Sequence, residues 1–260
     1  MIYLDSAATT FPKYPTYSCA WLNANTLYGA EMREMLTEAE KNIKYSLGVS
    51  SGKVVFGGTA SVMFKYLFDK IGDAWSDSMS DADEDKIKWC SLLSSPYEHE
   101  CIANGEKGIY ICNINELKDK DIVKDKMWRN NCIPITFCQL VSNITGETFP
   151  VADIGTATRE LNGFFVCDMT ASIGKYGIPK NLEDFCDCVI ASAHKFHGEK
   201  GQGFIWVSDR FNEWLNGINY IGTPDVAGAL GTAHALLRSV LHYNNRRPPA
   251  WDNAVRDALF

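Results

Sequence analysis

The chain has no basic block. It carries 25 lysines and arginines against 32 aspartates and glutamates, a formal net charge of −7, which argues against nucleic acid as its main partner. It shows no signal peptide and no apolar run long enough to span a bilayer, so no membrane partner is expected. No pair of cysteine pairs at zinc spacing is present: the nine cysteines are irregularly placed, and Cys186 and Cys188 form only a Cys-x-Cys pair. A metal site is therefore not expected. An odd cysteine count without a regular framework suggests a reduced, cytoplasmic protein. Internal repeats and low-complexity segments are also lacking. The glycine-rich stretch 198–203 does not have the spacing of a nucleotide loop. The acidic stretch 73–85 reads as solvated loop. The sequon Asn143-Ile144-Thr145 is inert in a cytoplasmic chain.

What is present suits a folded protein. Hydrophobic residues make up 46% and charged residues 22% of 260 positions, enough for one large α/β domain or two small ones. Met32, Leu36, Ala39, Ile43 and Leu47 recur at helical spacing and predict a helix over 29–47. Residues 53–56 read as a strand, followed by Gly57-Gly58-Thr59-Ala60-Ser61 and a second helix to about 71. Further strands are expected at 87–93, 108–113, 133–140, 163–167, 187–192 and 203–208. Helices are expected at 151–162 and from near 225 to about 241. This alternation predicts an α/β fold with a mainly parallel sheet and helices on both faces. Pro248-Pro249 stops the last helix, which divides the chain into a large domain, 1–243, and a short tail, 244–260.

Two residues suggest chemistry. Lys195 follows the apolar run Cys188-Val189-Ile190-Ala191 and stands in Ser192-Ala193-His194-Lys195, ahead of Gly198, Gly201 and Gly203. Asp168 ends another apolar run, 163–167. A lysine that can form a Schiff base and an aspartate that can pair with a pyridinium nitrogen are the two groups pyridoxal phosphate most needs. A lysine beside small residues at a strand end is not the usual solvated surface charge. An aspartate beside a cation is expected to have a depressed pKa and to stay ionised.

The run 192–203 resembles the cofactor-lysine motif of the cysteine desulfurases, within class V of the fold-type I aminotransferases. Other segments match that family in order: Tyr3-Leu4-Asp5-Ser6-Ala7-Ala8-Thr9-Thr10, Glu98-His99, Asn143 with Gly146, Asp168-Met169-Thr170, and Gly222-Thr223-Pro224-Asp225-Val226. The last leans toward the SufS-like group. The resemblance covers about residues 1–240 and implies pyridoxal 5′-phosphate as cofactor. It implies that Lys195 holds the cofactor and moves the substrate α-proton, that Asp168 pairs with the ring nitrogen, and that His99 stacks on the ring. Asn143 would lie near the ring oxygen. Ala60, Ser61, Ser192 and His194 would meet the phosphate, and Thr223 would reach the phosphate of a neighbouring subunit in a homodimer.

The match has gaps. Ala171 stands where the family has a glutamine, and Tyr28 where it has a histidine. The connection from Val207 to Gly222 is short and lacks the usual arginine just before Gly222-Thr223. No cysteine follows Cys188, and Arg238, Arg246, Arg247 and Arg256 do not match the family's carboxylate-binding arginine. The expectation is a pyridoxal-phosphate enzyme acting on a small amino acid, by desulfuration or lyase chemistry first and transamination second. The alternative is an inactive cofactor-binding protein that pairs with another chain, including one that supplies the C-terminal domain the resemblance implies.

Overall fold

A computed structural model describes residues 30–79, 87–103, 109–127, 132–220 and 223–244. The first helical stripe folds as α1 (Ala30–Leu47), which buries the five residues that predicted it together with Ser46. After it come β1 (Lys53–Gly57), α2 (Ala60–Ser78), β2 (Cys90–Ser94), α3 (Glu100–Ala103), β3 (Tyr110–Ile111), α4 (Ile114–Leu117) and α5 (Lys120–Lys126). β4 (Ile133–Gln139), α6 (Val151–Glu160), β5 (Phe164–Asp168), β6 (Cys188–Ser192), β7 (Gly203–Val207), α7 (Asp209–Trp214) and α8 (Val226–Asn244) complete the order. The segment 3–10, Tyr28, Gly222 and the tail beyond 244 lie outside the described residues. None of the described helices is long and apolar enough to cross a membrane.

The seven strands among the described residues form one sheet in the order β1-β7-β6-β5-β4-β2-β3. The neighbours from β6 across to β3 pair in parallel, whereas β7 is antiparallel to both β6 and β1. The reversal has a local cause. The link from Ser192 to Gly203 is shorter than the dozen or so residues a parallel crossover takes.

Strand alternation sends successive side chains to opposite faces. Phe165, Cys167, Val189, Ala191, Phe204 and Trp206 join the core under α1, α6 and α8. Phe164, Val166, Cys188, Ile190, Ile205 and Val207 join the core under α2, α3 and α7. The sheet is therefore buried on both sides, which is why its strands read as unbroken apolar runs.

Several elements differ from the sequence expectation. Helix α2 runs to Ser78 rather than about 71, and the strand expected at 108–113 keeps only two residues. α3, α4, α5 and α7 are too short to show a helical period. Asn113 and Glu116 nevertheless form a capping box at α4, with bonds of 3.0 and 2.8 Å.

One buried charge ties the layers together at the N-terminal end of β6. Asp187 is fully buried and accepts from Arg159 at 2.9 Å, from Arg210 Nε at 2.7 Å, from the Ser208 hydroxyl at 3.0 Å and from the Phe165 N–H at 3.1 Å. Removing one partner from such a cluster leaves buried charge uncompensated, at a cost of about 3–5 kcal/mol. Arg159→Met and Arg210→Met together, which leave the buried Asp187 carboxylate without a counter-charge, are expected to lose that much in urea denaturation. A loss below about 1 kcal/mol would show that the cluster does not hold the layers.

Candidate cofactor site

Because β4, β5 and β6 run in parallel, their C-terminal ends share one edge, and open α/β sheets bind ligands outside such an edge. Gln139 ends β4 and pairs in register with Asp168, the last residue of β5. Ser192 ends β6. These ends open on a cavity of about 240 Å³. Ala60, Ser61, His99, Asn143, Asp168, Ser192, His194 and Lys195 all line it, with Thr59, Cys101, Gln139, Thr170 and Ala171. Thr223 does not. It lines a separate depression of about 430 Å³ with Gly57, Gly58, Val62 and Tyr220. The Gly57–Ser61 turn separates the two, its glycines on one side and Ala60 and Ser61 on the other.

The start of α2 forms one wall. Thr59 adopts extended backbone angles and its side chain makes no capping bond. The Ala60 N–H donates to the Ser192 hydroxyl at 2.6 Å, which joins the helix start to the end of β6. First-turn N–H groups and the helix dipole together favour an anion at this wall. The turn needs small residues. A Cβ on Gly203 would meet the carbonyl oxygens of Ala191 and Gly58 at 2.6 and 2.7 Å, so β7 approaches the turn backbone to backbone.

Lys195 ends a short 3-10 turn, Ala193–Lys195, directly after β6. Bonds from two other segments hold this turn. Lys175 Nζ donates to the Lys195 carbonyl at 2.8 Å, and the Ser239 hydroxyl of α8 donates to the Phe196 carbonyl at 3.0 Å. Turn closure within the segment adds Ala193 N–H to the Gln202 carbonyl at 2.8 Å and Gly198 N–H to the Ala193 carbonyl at 2.8 Å.

Asp168 is only 7% exposed, and its Oδ1 accepts the Thr170 N–H at 2.8 Å. The expected depression of its pKa is not found. Burial pushes the carboxyl above its usual range, while the bonds from Thr170 and the charges of His99 and Lys195 pull it down without winning. The lost hydration outweighs the neighbouring positive charge. This is the environment a cationic ring nitrogen would complete, since a cation against the carboxylate favours its ionised form. A buried acid, a helix start suited to phosphate and a lysine on one cavity fit pyridoxal phosphate.

His99 and Cys101 meet at the rim, with His99 Nδ1 and Cys101 Sγ 3.2 Å apart. Burial pushes the Cys101 thiol up to about 11. Asn143 brings a buried Oδ1 without a hydrogen-bond partner, a group available to a ligand. Ala171 lines the cavity where the resemblance placed a glutamine, so no amide stands there. Gln139 went unnoticed in the sequence, where its signal was its place at a strand end. Thr170 was noted only as part of the match Asp168-Met169-Thr170 and was given no role. Among the described residues, no cluster of three or more acids, histidines and cysteines could hold a metal.

Comparisons with known proteins bear on the family and the fold. A cysteine desulfurase IscS of Dictyoglomus turgidum is 25% identical over 268 residues, covering 92% of this chain and 64% of that protein. A cysteine desulfurase of Enterobacter agglomerans is 33% identical over 108 residues, 39% of this chain and 27% of that protein. The chain thus spans less than two thirds of the length of these relatives. Among solved structures, a NifS-like protein from Rickettsia africae superposes with a TM-score of 0.70 at 19% identity, covering 94% of this chain and 69% of its own. A protein described as SspA in complex with cysteine superposes at 0.69 with 21% identity, covering 98% and 77%. These likenesses show the fold-type I architecture. The aminotransferase class-V family model matches residues 101–236, just over half of the 260, and the chain belongs to that family, whose members use pyridoxal 5′-phosphate.

Proposed function

We propose that this chain binds pyridoxal 5′-phosphate through Lys195 and acts on a small amino acid, with cysteine the first candidate. The observation that carries the reading is that Lys195 and Asp168 open on one cavity whose wall is the start of α2. When bound, the cofactor supplies an electron sink for the substrate Cα. Lys195 would hold its aldehyde carbon and would carry the proton at the substrate Cα. Asp168 would keep a proton on the ring nitrogen. His99 would cover the ring face, and the Asn143 amide would serve the ring oxygen. The start of α2 at Ala60 and Ser61, with the side chains of Ser61, Ser192 and His194, would receive the phosphate, the Ala60 N–H acting through the Ser192 hydroxyl it already donates to.

Two features extend the reading to an assembly. Thr223 stands outside the cavity that holds the other candidates, as expected of a residue that serves a second subunit. Val62, 55% exposed, lines the same depression and suits a covered apolar contact. We therefore propose a homodimer in a reducing, cytoplasmic compartment, in keeping with the free cysteines among the described residues.

Desulfuration would also need a thiolate that reaches the substrate sulfur. Cys101 is the cysteine on the cavity wall, but with its pKa near 11 only roughly one thiol in ten thousand is ionised at neutral pH. That makes it a poor acceptor.

Purified protein is expected to show a near-visible band that borohydride bleaches, with the label on the Lys195 peptide. Persistence of the reducible adduct in Lys195→Ala would overturn the assignment. Asp168→Asn is expected to weaken cofactor affinity by at least about tenfold, read by titrating the apo-protein spectrophotometrically. Light scattering is expected to give a dimer at micromolar concentration. Given cysteine and a reductant, the 260 residues alone are expected to release little alanine or sulfide; robust turnover would contradict this. Alkylation of Cys101 is expected to be slow at pH 7 and to climb steadily toward pH 11, mapped by mass spectrometry. Fast labelling at pH 7 would make Cys101 an activated thiol after all.

A further inference from the structure

Glu98 precedes His99 and is used by none of the roles above. It is only 7% exposed. Its Oε1 takes two donors, the Ser95 hydroxyl and the Gln139 N–H at 3.0 Å. Its Oε2 is buried with no hydrogen-bond partner. Gln139 returns a second bond, its side-chain amide donating to the Tyr97 carbonyl. The Tyr97 ring stacks on Phe149, with centroids 5.2 Å apart. The turn that delivers His99 is thus fastened at two points to the last residue of β4. That residue pairs in register with Asp168. Whatever fixes this turn fixes the height of His99 relative to the acid across the cavity.

We propose that Glu98 is a positioning residue that holds His99 over the cavity, and that it does so as the neutral acid. The cofactor reading gives this positioning its purpose, but the clamp itself stands on the protein's own bonds. The titratable groups that bear on Glu98 from the elements around it are Asp168 and Cys167 of β5, Cys138 of β4 and Cys101 of α3. All are acids. An ionised Glu98 would add a second buried negative charge near Asp168 and leave one oxygen without a donor, both of which are costly. The neutral form keeps both bonds at Oε1 and carries no charge. Burial and Asp168 together push its carboxyl up to about 7, against the bonds from Ser95 and Gln139. An unfolded glutamate ionises near 4.5. Between those values the folded state binds the extra proton. The stability this confers is therefore whole below about 4.5 and is lost as pH rises through about 7.

Glu98→Gln separates charge from shape, because its amide oxygen can take both donors and its NH₂ replaces the protonated oxygen. The first measurement is the His99 imidazole resonance in the cofactor-free protein at pH 6. Glu98→Gln is expected to match the wild type, and Glu98→Ala to shift. The second is melting temperature against pH, where the wild type is expected to fall relative to Glu98→Gln between about pH 4.5 and 7. The third is binding of pyridoxal 5′-phosphate at pH 6, expected to be within about twofold of wild type for Glu98→Gln and about tenfold weaker for Glu98→Ala. If Glu98→Ala does not fold, Ser95→Ala removes one of the two donors and is expected to shift the same resonance.

A Glu98→Gln resonance that follows Glu98→Ala would overturn the neutral-acid claim, and an unmoved resonance in every variant would overturn the positioning claim. If the wild type fails to bind pyridoxal 5′-phosphate, the cofactor reading falls. The resonance and the pH profile still decide the role of Glu98.

Discussion

Three parallel strands that end at one edge of the sheet are what the candidate site depends on. β4, β5 and β6 reach the same edge in register, with Gln139 beside Asp168 and the end of β6 beyond. At that edge the backbone must leave the sheet, so each strand delivers one polar residue where the apolar core ends. Asp168 and Ser192 are polar for that reason as much as for chemistry. The turn that carries Lys195 is simply the next few residues after β6. The helix start completes the wall because Gly203 of β7, lacking a side chain, lets the Gly58 carbonyl approach the strand closely. Shift any of these strands by one residue and the side chains change faces, leaving the lysine and the acid without a shared cavity.

Much of this was legible in the residues. Apolar runs at 163–167 and 187–192 gave β5 and β6 within a residue or so, because a sheet buried on both faces needs continuous hydrophobic strands. Asp168, Ser192, His194 and Lys195, at or just past those runs, were read as site residues with Ala60, Ser61, His99, Asn143 and Thr223, and of these nine all but Thr223 line one cavity. The direction of β7 was not legible from its composition, since Gly203–Val207 would look the same in either sense. Only the short link from Ser192 carried that information. The four short helices escaped because less than two turns cannot show a period, even where a capping residue such as Asn113 marks the start.

The sign of the Asp168 shift was harder to foresee. A sequence shows which charges are near along the chain, but it does not show how much water a group loses. The lysine and histidine that should have stabilised the carboxylate are present, yet the complete burial of β5 outweighs them. The burial of Glu98 was hidden for the same reason. The sequence matched Glu98-His99 to the family without giving the glutamate a role. Only the fold shows that it turns inward onto the end of β4 rather than out to solvent.

The bond from Ala60 to Ser192 joins residues 132 positions apart, and the indole of Trp206 reaches back 155 positions to the Ser51 carbonyl. Contacts of such long range form only after large loops have closed, and the entropy of closure must be met before they contribute. The outer strand β1 and the helix start it feeds are held against β7 and β6 by such contacts, so the wall of the cavity and the far edge of the sheet depend on the same long-range closures. An anion held there would bind only the closed chain and would stabilise it by mass action.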